Sequence, residues 1–506
     1  MNDIPLLNAL RKSAQKPHAA FYAPGHKQGK GCDRQIIDLL SRDVFTADLP
    51  ELPELDNLFA PEGVIEKAQK LASKTFGAEK TWFLVNGSTC GIMAAILATC
   101  GEGDKIILPR NIHQSAIAGL VLSGAIPIFV RPEYDINEGL AYNVTPQAVG
   151  QALKEHSDTK AVMMLHPTYQ GVCSDLQAIA NITHQYNIPL LVDEAHGAHF
   201  VFHEDLPPSA MSVGADLTVQ STHKTLSAMT QASMLHTQGD RVCSQRINKA
   251  LQLVQSTSPS YLLLASLDAA RYQMATEGKK LMDKAIARAT EASQQLAAIP
   301  NLTVFDPQTK PGCDRIDRTR LTINVSQLGM TGFEADEILH NRLNVTCELP
   351  LLHHLTFIIS LGNTPEDIQQ LVDACKTLSQ PPNLPISQSP HLPVSPFPSL
   401  PIPQSPHLPV SQSPNLPVSP SPSLPISQSP RQAYFSPTET IPITEASDRL
   451  CAELICPYPP GIPLLMPGET ISAEAIKYLQ QILIAGGTIT GCNDPTLQTI
   501  LVLKSN

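Results

Sequence analysis

An α/β fold, with a mostly parallel sheet covered by helices on both faces, is predicted for the larger part of this 506-residue chain. Three observations predict it. Between about residues 80 and 240 short apolar runs recur at a spacing typical of strands buried on both faces. Helical patterns fill several of the gaps between them, as parallel pairing requires. The chain also exceeds the roughly 250 to 300 residues that one core accommodates, so a second, smaller unit is expected.

The strands are placed at 81–85, 105–108, 126–130, 161–165, 189–193 and 216–220. Helices are placed at 145–156, with Thr145 as N-cap, and at 175–186. The division expected is an N-terminal segment 1–60, a large domain 61–300, a small α+β domain in two parts, 301–380 and 431–506, and a Pro/Ser-rich linker 381–430 between those parts. Ligands of parallel sheets bind beyond the carboxyl ends of the strands, so the residues following each strand carry the functional reading.

Composition excludes several classes. The chain holds 35 Lys and Arg against 46 Asp and Glu, a net charge of −11, without a basic run, so neither nucleic acid nor an anionic membrane surface is an expected partner. Apolar stretches fall short of the ~20 residues that span a bilayer, and the N-terminus lacks a basic region followed by an apolar one. Eleven scattered cysteines without a C-x-x-C pair read as reduced thiols, which gives a cytoplasmic expectation and no metal site.

The first strand leads into Asn86-Gly87-Ser88-Thr89-Cys90-Gly91 and a helical run. Such a turn offers backbone N–H groups and the positive end of a helix dipole to a phosphate, and it is equally a good N-cap. The fifth strand ends in Asp193-Glu194-Ala195-His196-Gly197, where the carboxylate reads as a catalytic acid, a metal ligand or a cap. The sixth runs into Ser221-Thr222-His223-Lys224, a lysine among small hydroxyl residues, either a surface charge or an amine made nucleophilic by desolvation. Together they are more specific than any one alone. A phosphate cradle, an acid and an amine at one sheet edge meet the needs of pyridoxal 5′-phosphate: phosphate binding, a carboxylate for the pyridine nitrogen, and a Schiff-base amine.

These motifs, with Pro24-Gly25-His26-Lys27, Ser256-Thr257-Ser258-Pro259-Ser260-Tyr261 and Pro457-Tyr458-Pro459-Pro460-Gly461-Ile462-Pro463, resemble those of the Orn/Lys/Arg decarboxylases. That family has the aspartate-aminotransferase-like fold of the fold type I pyridoxal-phosphate enzymes. The resemblance implies decarboxylation of arginine, lysine or ornithine, with Lys224 as Schiff-base lysine, Asp193 as partner of the pyridine nitrogen, and Ser88, Thr89, Ser221 and His223 near the phosphate. It places His113 against the cofactor ring and His196 beside it, and lets Lys224 or a neighbouring histidine, His223 among them, return a proton. Because Pro24-Gly25-His26 lies so early, the short form of the family, without an N-terminal wing domain, is expected, as a homodimer or higher homo-oligomer.

For the distal cation of the substrate Glu348 resembles a recurring family acid, and it is expected in a partly desolvated pocket; Glu54 and Asp56 are alternatives reaching a partner's site. Arg320 is a candidate clamp for an α-carboxylate, as in a transaminase, against the alternative of a surface salt bridge. His26 is expected in a tight turn near the site's mouth. Another fold type I reaction and a noncatalytic scaffold are the competing functions. The scaffold would act through six octapeptides, NLPISQSP to SLPISQSP, that fill Asn383 to Pro430 without a charged residue or glycine. Proline at this density is incompatible with helix, and an extended or disordered segment is expected.

Overall fold

The computed structural model describes residues 3–17, 19–307, 309–380 and 427–504. Its centre is a seven-stranded sheet of β1 (Lys80–Leu84), β2 (Lys105–Pro109), β3 (Ile126–Val130), β4 (Thr159–Leu165), β5 (Leu190–Asp193), β6 (Leu217–Gln220) and β7 (Ser233–Thr237), in the order β1-β7-β6-β5-β4-β2-β3. Strands β2 to β6 pair in parallel. β7 was not expected; it lies antiparallel between β1 and β6, which leaves β1 pointing with the rest.

Successive side chains of a strand point to opposite faces, and here both faces are covered. Ile106, Leu108, Met163 and Leu191 pack under the helices Gly87–Thr99 and Gln114–Ser123. Ile107, Val162, Met164, Leu190 and Val192 face the helices Pro146–Glu155 and Leu176–Gln185. The last two helices start where their caps dictate: Thr145 accepts from the Ala148 N–H and Asp175 from that of Ala178.

The N-terminal segment joins this unit. Leu6 and Leu10 of the helix Pro5–Ala14 enter the core that contains Ile65, Phe83 and Tyr261. The buried Asp268, ion-paired with Arg271, accepts from the Leu6 N–H at 2.9 Å and so fixes the start of that helix. The 37-residue helix Tyr261–Ala297, about 55 Å long at 1.5 Å per residue, carries the chain onward. Its first half lies in the large core, and Ala289, Ala292 and Leu296 belong to the next one.

That next unit is a four-stranded antiparallel sheet, β8 (Thr303–Val304), β9 (Arg320–Asn324), β10 (Leu349–Pro350) and β11 (His354–Ile358), ordered β8-β9-β11-β10. The helices Gly332–Leu343 and Pro365–Leu378, both opened by capping boxes, cover it. Residues 427–504 pair among themselves: β12 (Thr438–Pro442) with β15 (Thr499–Leu503), and β13 (Cys456–Tyr458) with β14 (Thr488–Thr490), around a core with the helix Ala473–Ile484. This corrects the expectation of one small domain in two parts. Among the described residues every strand of the four-stranded sheet comes from 303–358, so the chain after the repeat closes a core of its own.

The extended or disordered state expected of the repeat concerns residues 383–426, which lie outside the described residues. Its last four residues do not follow that expectation: Ser429 caps the helix Pro430–Phe435 in a capping box with Gln432, and the Ser427 N–H donates to the Gly468 carbonyl. The structured part of the following unit therefore already includes Ser427 to Pro430. Replacing 383–426 by a short Gly/Ser linker is expected to leave turnover within about threefold of wild type. Extending the replacement through Pro430 removes the Ser429 cap and is expected to cost about 1 kcal/mol, read as a lower urea midpoint.

Candidate active site

Parallel pairing brings the residues after β1, β2, β4, β5 and β6 to one edge of the sheet. Lys224, in the short helix after β6, is half-buried, and its Nζ donates to His196 Nε2 at 2.9 Å. It also lies 5.5 Å from the centre of the Tyr169 ring, which itself packs on His196 at 4.4 Å. Burial lowers the lysine's pKa from its ordinary value, the charges of Asp193 and Glu348 oppose that shift, and Arg320 adds to it. The amine is thereby moved toward a nucleophile.

Asp193 ends β5 and is 3% exposed, yet the only hydrogen bond its carboxylate accepts among the described residues is from the Ala195 N–H, at 3.2 Å. Burial pushes its pKa up to about 6, against the pull of Lys224. A buried carboxyl without an ion partner is costly, and a bound cation would relieve it. His196 is 2% exposed; its Nδ1 finds no partner, and burial, then Lys224, drives its pKa far down, so the ring is neutral. His113 caps the helix Gln114–Ser123, its Nδ1 accepting from the Ser115 N–H, and burial lowers its pKa to about 4. His223 is anchored to the Ala232 carbonyl through Nδ1 at 3.0 Å.

The helix Gly87–Thr99 begins without a side-chain cap, and Ser88 in its first turn receives a 2.8 Å hydrogen bond from Ser221 Oγ. The two hydroxyls meet where the ends of β1 and β6 converge, while Thr89 is exposed. An uncapped helix start with convergent hydroxyls, a buried acid without an ion partner and a partly desolvated lysine together fit pyridoxal phosphate: Ser88, Thr89 and Ser221 toward its phosphate, Asp193 toward its ring nitrogen, Lys224 toward its aldehyde.

Other candidates fall differently. Arg320 is 3% exposed and so no surface salt bridge: Nη2 donates to the His196 carbonyl at 2.9 Å, Nε stands 3.7 Å from Asp317, and Nη1 has no hydrogen-bond partner among the described residues. Glu348 is exposed, which corrects the expectation of a desolvated acid; it sits at the rim, where its charge still reaches Lys224, Arg320 and Tyr169. Asp56 is consumed structurally. Its carboxylate accepts from the N–H groups of Asn57, Glu62, Gly63, Ile65 and Glu66 and so caps the helix Val64–Phe76. Glu54 pairs with Lys16 and Ser13. His26 accepts from the Gly29 N–H and meets Asp48 at 3.1 Å, holding the turn that contains Lys27, Gln28 and Gly29 at positive φ.

Two contributors escaped the sequence reading. Tyr169 lies just beyond β4, a strand end that the same rule would have searched, in the uncharged stretch His166-Pro167-Thr168-Tyr169. The other is the turn 457–463, whose motif was legible but whose place was not: the Pro460 carbonyl accepts from Tyr169 Oη at 3.0 Å and the Gly461 carbonyl from the Gln114 N–H at 3.1 Å. Gly461 has φ +81°, which favours glycine, and a Cβ there would also crowd the Gln114 side-chain Nε2 at 3.0 Å and His113 Nε2 at 3.3 Å.

Sheet order, lysine, acid and helix start define the class, the aspartate-aminotransferase-like fold of the fold type I pyridoxal-phosphate enzymes. More narrowly, the chain belongs to the Orn/Lys/Arg decarboxylase family: residues 4–352 match its major domain and 416–491 its C-terminal domain. An arginine decarboxylase of Bacillus subtilis is 37% identical over 99% of this chain and 98% of its own, and one from Bacillus anthracis 36% over 99% and 97%. In fold the chain resembles the constitutive lysine decarboxylase of Escherichia coli, with TM-score 0.81 at 20% identity, over 99% of this chain and 82% of that one.

Because Asp193 is buried without an ion partner, Asp193→Asn is expected to leave the melting temperature of the cofactor-free protein unchanged or raised. Turnover should nevertheless fall by about 100-fold or more, since a neutral amide cannot hold a proton on the pyridine nitrogen. Thermal melts and initial rates on the same preparation check both halves.

Proposed function

We propose that the chain catalyses pyridoxal-phosphate-dependent decarboxylation of a basic L-amino acid, arginine foremost, to the corresponding amine and carbon dioxide. The observation that carries this reading is the union, at one sheet edge, of the Lys224–His196–Tyr169 cluster with the buried Asp193 carboxyl. Full-length similarity to proteins named arginine decarboxylase supports the choice of substrate. When bound, pyridoxal phosphate supplies an aldehyde to hold the substrate amine and a ring to accept the electron pair left by the departing carboxyl group.

The chain's own residues do the rest. Asp193 would hold a proton at the ring nitrogen, a bound cation lowering the pKa that burial raises to about 6. Lys224 Nζ would return a proton to Cα, and neutral His196, hydrogen-bonded to it through Nε2, would steady that amine. His113 and Tyr169 would wall the cofactor ring and exclude water, and Glu348 at the rim would meet the distal cation of the substrate. Arginine presents a planar fork to that carboxylate, lysine a single point.

The smallest active species would be a homodimer, consistent with Phe21 and Leu39 at 93% and 76% exposure in the single chain. Size-exclusion chromatography coupled to activity tests it; full activity in a monomer peak would refute it. Work in the cytoplasm is part of this reading; among the described residues no helix is long and apolar enough to cross a membrane.

The deciding experiment offers arginine, lysine, ornithine and norleucine separately to protein loaded with pyridoxal phosphate and identifies the amines formed. A basic substrate should exceed norleucine by at least ~100-fold in kcat/KM. Glu348→Gln should raise KM for the basic substrate and narrow that gap. Lys224→Ala should lose the visible absorption of the loaded enzyme and at least ~1000-fold in turnover. A transaminated keto acid in place of an amine would overturn the reading in favour of Arg320 as a carboxylate clamp.

A further inference from the structure

The buried ion pair Arg110–Glu469 joins the large unit to the chain after the repeat, and the reaction as described does not use it. Arg110 follows β2 directly, three residues before His113. Its side chain is 4% exposed and that of Glu469 2%. Arg110 Nη2 donates to both oxygens of Glu469, at 2.9 and 3.1 Å, and to the Leu464 carbonyl at 2.9 Å; Nη1 donates to the Pro463 carbonyl at 2.7 Å. Glu469 also accepts from the Met466 N–H at 3.2 Å. Guanidinium and carboxylate thus close a ring around the exit of the turn 457–463.

The entrance of that turn bears on the active site. Pro460 and Gly461 accept from Tyr169 and from the amide beside His113, and Tyr169 in turn packs on His196 and over Lys224. One short segment after β2 therefore grips the turn twice, through Arg110 and through Gln114. We propose that Arg110 and Glu469 are positioning residues for the active site: by fixing the turn 457–464 they set the Pro460 carbonyl that holds Tyr169 against Lys224 and His196. The unit after the repeat is on this view part of the catalytic apparatus and not an appended module. The proposal rests on the decarboxylase reading for its rate measurement but not for its structural one.

Full-length protein loaded with pyridoxal phosphate is compared as wild type, Arg110→Lys, Glu469→Gln, Tyr169→Phe and the double variant Arg110→Lys/Tyr169→Phe. Lysine keeps the charge but loses the fork, so the Gln114 amide, which donates to Gly461, should exchange with deuterium at least ~10-fold faster in Arg110→Lys and Glu469→Gln, with β5 amides unchanged. That readout is independent of substrate. In rate, each single variant should lose at least ~10-fold in kcat with KM within about threefold, and the double variant should lose no more than the worse single. Multiplicative losses in the double variant, or wild-type kcat in Tyr169→Phe, would overturn the proposal, as would a freed Gln114 amide with kcat intact. Should Arg110→Lys not fold, the conservative Tyr169→Phe still decides by its kcat. Absence of any amine product from wild type would instead count against the decarboxylase reading, leaving the exchange result to judge the latch.

Discussion

Parallel pairing of β2 through β6 is the constraint on which the site depends. With β1 turned the same way by the antiparallel β7 between it and β6, the carboxyl ends of β1 to β6 reach one edge, so residues as distant in sequence as Ser88, His113, Tyr169, Asp193 and Lys224 come to one place. Parallel strands demand crossovers, and the crossover helices bury both faces of the sheet, so this edge is where polar chemistry can gather.

Holding that edge in register takes polar as well as apolar contacts. Beneath it runs a buried chain: Glu194 accepts from Gln220 Nε2 at 2.7 Å, Gln220 Oε1 meets His236 Nε2 at 3.1 Å, and His236 Nδ1 meets Thr81 at 2.8 Å. It ties β5, β6, β7 and β1 together side by side. Burial pushes the Glu194 carboxyl up to about 8 against the hydrogen bonds it accepts, which include one from the Ala210 N–H at 2.7 Å. Each link is satisfied, so the chain specifies one register rather than adding a charge penalty. Asp193, its neighbour in sequence, is left without an ion partner on the opposite side of the peptide. Two adjacent acids, one paired off inward and one held open toward the site, are set apart only by the alternation of the strand.

The same contrast explains what was legible in the sequence. Six strands of the large sheet were readable because apolar residues dominate them, even where Thr81, Thr218 and Gln220 break the run. β7 was not, because Ser233, His236 and Thr237 are buried by hydrogen bonding rather than by hydrophobicity, and a hydropathy reading takes them for a turn. Lys224, Asp193 and Ser88 were readable from chain order and strand ends. Asp56 was misread, since a carboxylate accepting five backbone N–H groups looks in sequence like any acid before a helix. Tyr169 and Arg110 also follow strand ends, but their residue types name no chemistry there. The partner that gives Arg110 its meaning, Glu469, lies 359 residues away, and no periodicity spans such a separation.

That separation also says why the unit after the repeat is seated so firmly. Among the described residues it shares no strand with the large sheet; Met466 and Leu454 pack into the core of the large unit, and the placement is otherwise set by specific bonds: Arg110 to Glu469 and the turn, Tyr169 and Gln114 to the turn, and Arg431 to the Val121 and Leu122 carbonyls. A buried ion pair adds little net stability over an apolar pair of the same size, but losing one partner costs about 3 to 5 kcal/mol because the other charge stays buried. Such a contact is a poor glue and a strict gauge: it tolerates only the placement at which guanidinium, carboxylate and two carbonyls all close. A unit joined to the rest through a long connection needs a gauge of that kind, because loop-closure entropy rises only logarithmically with the length of the connection and so discriminates weakly between placements.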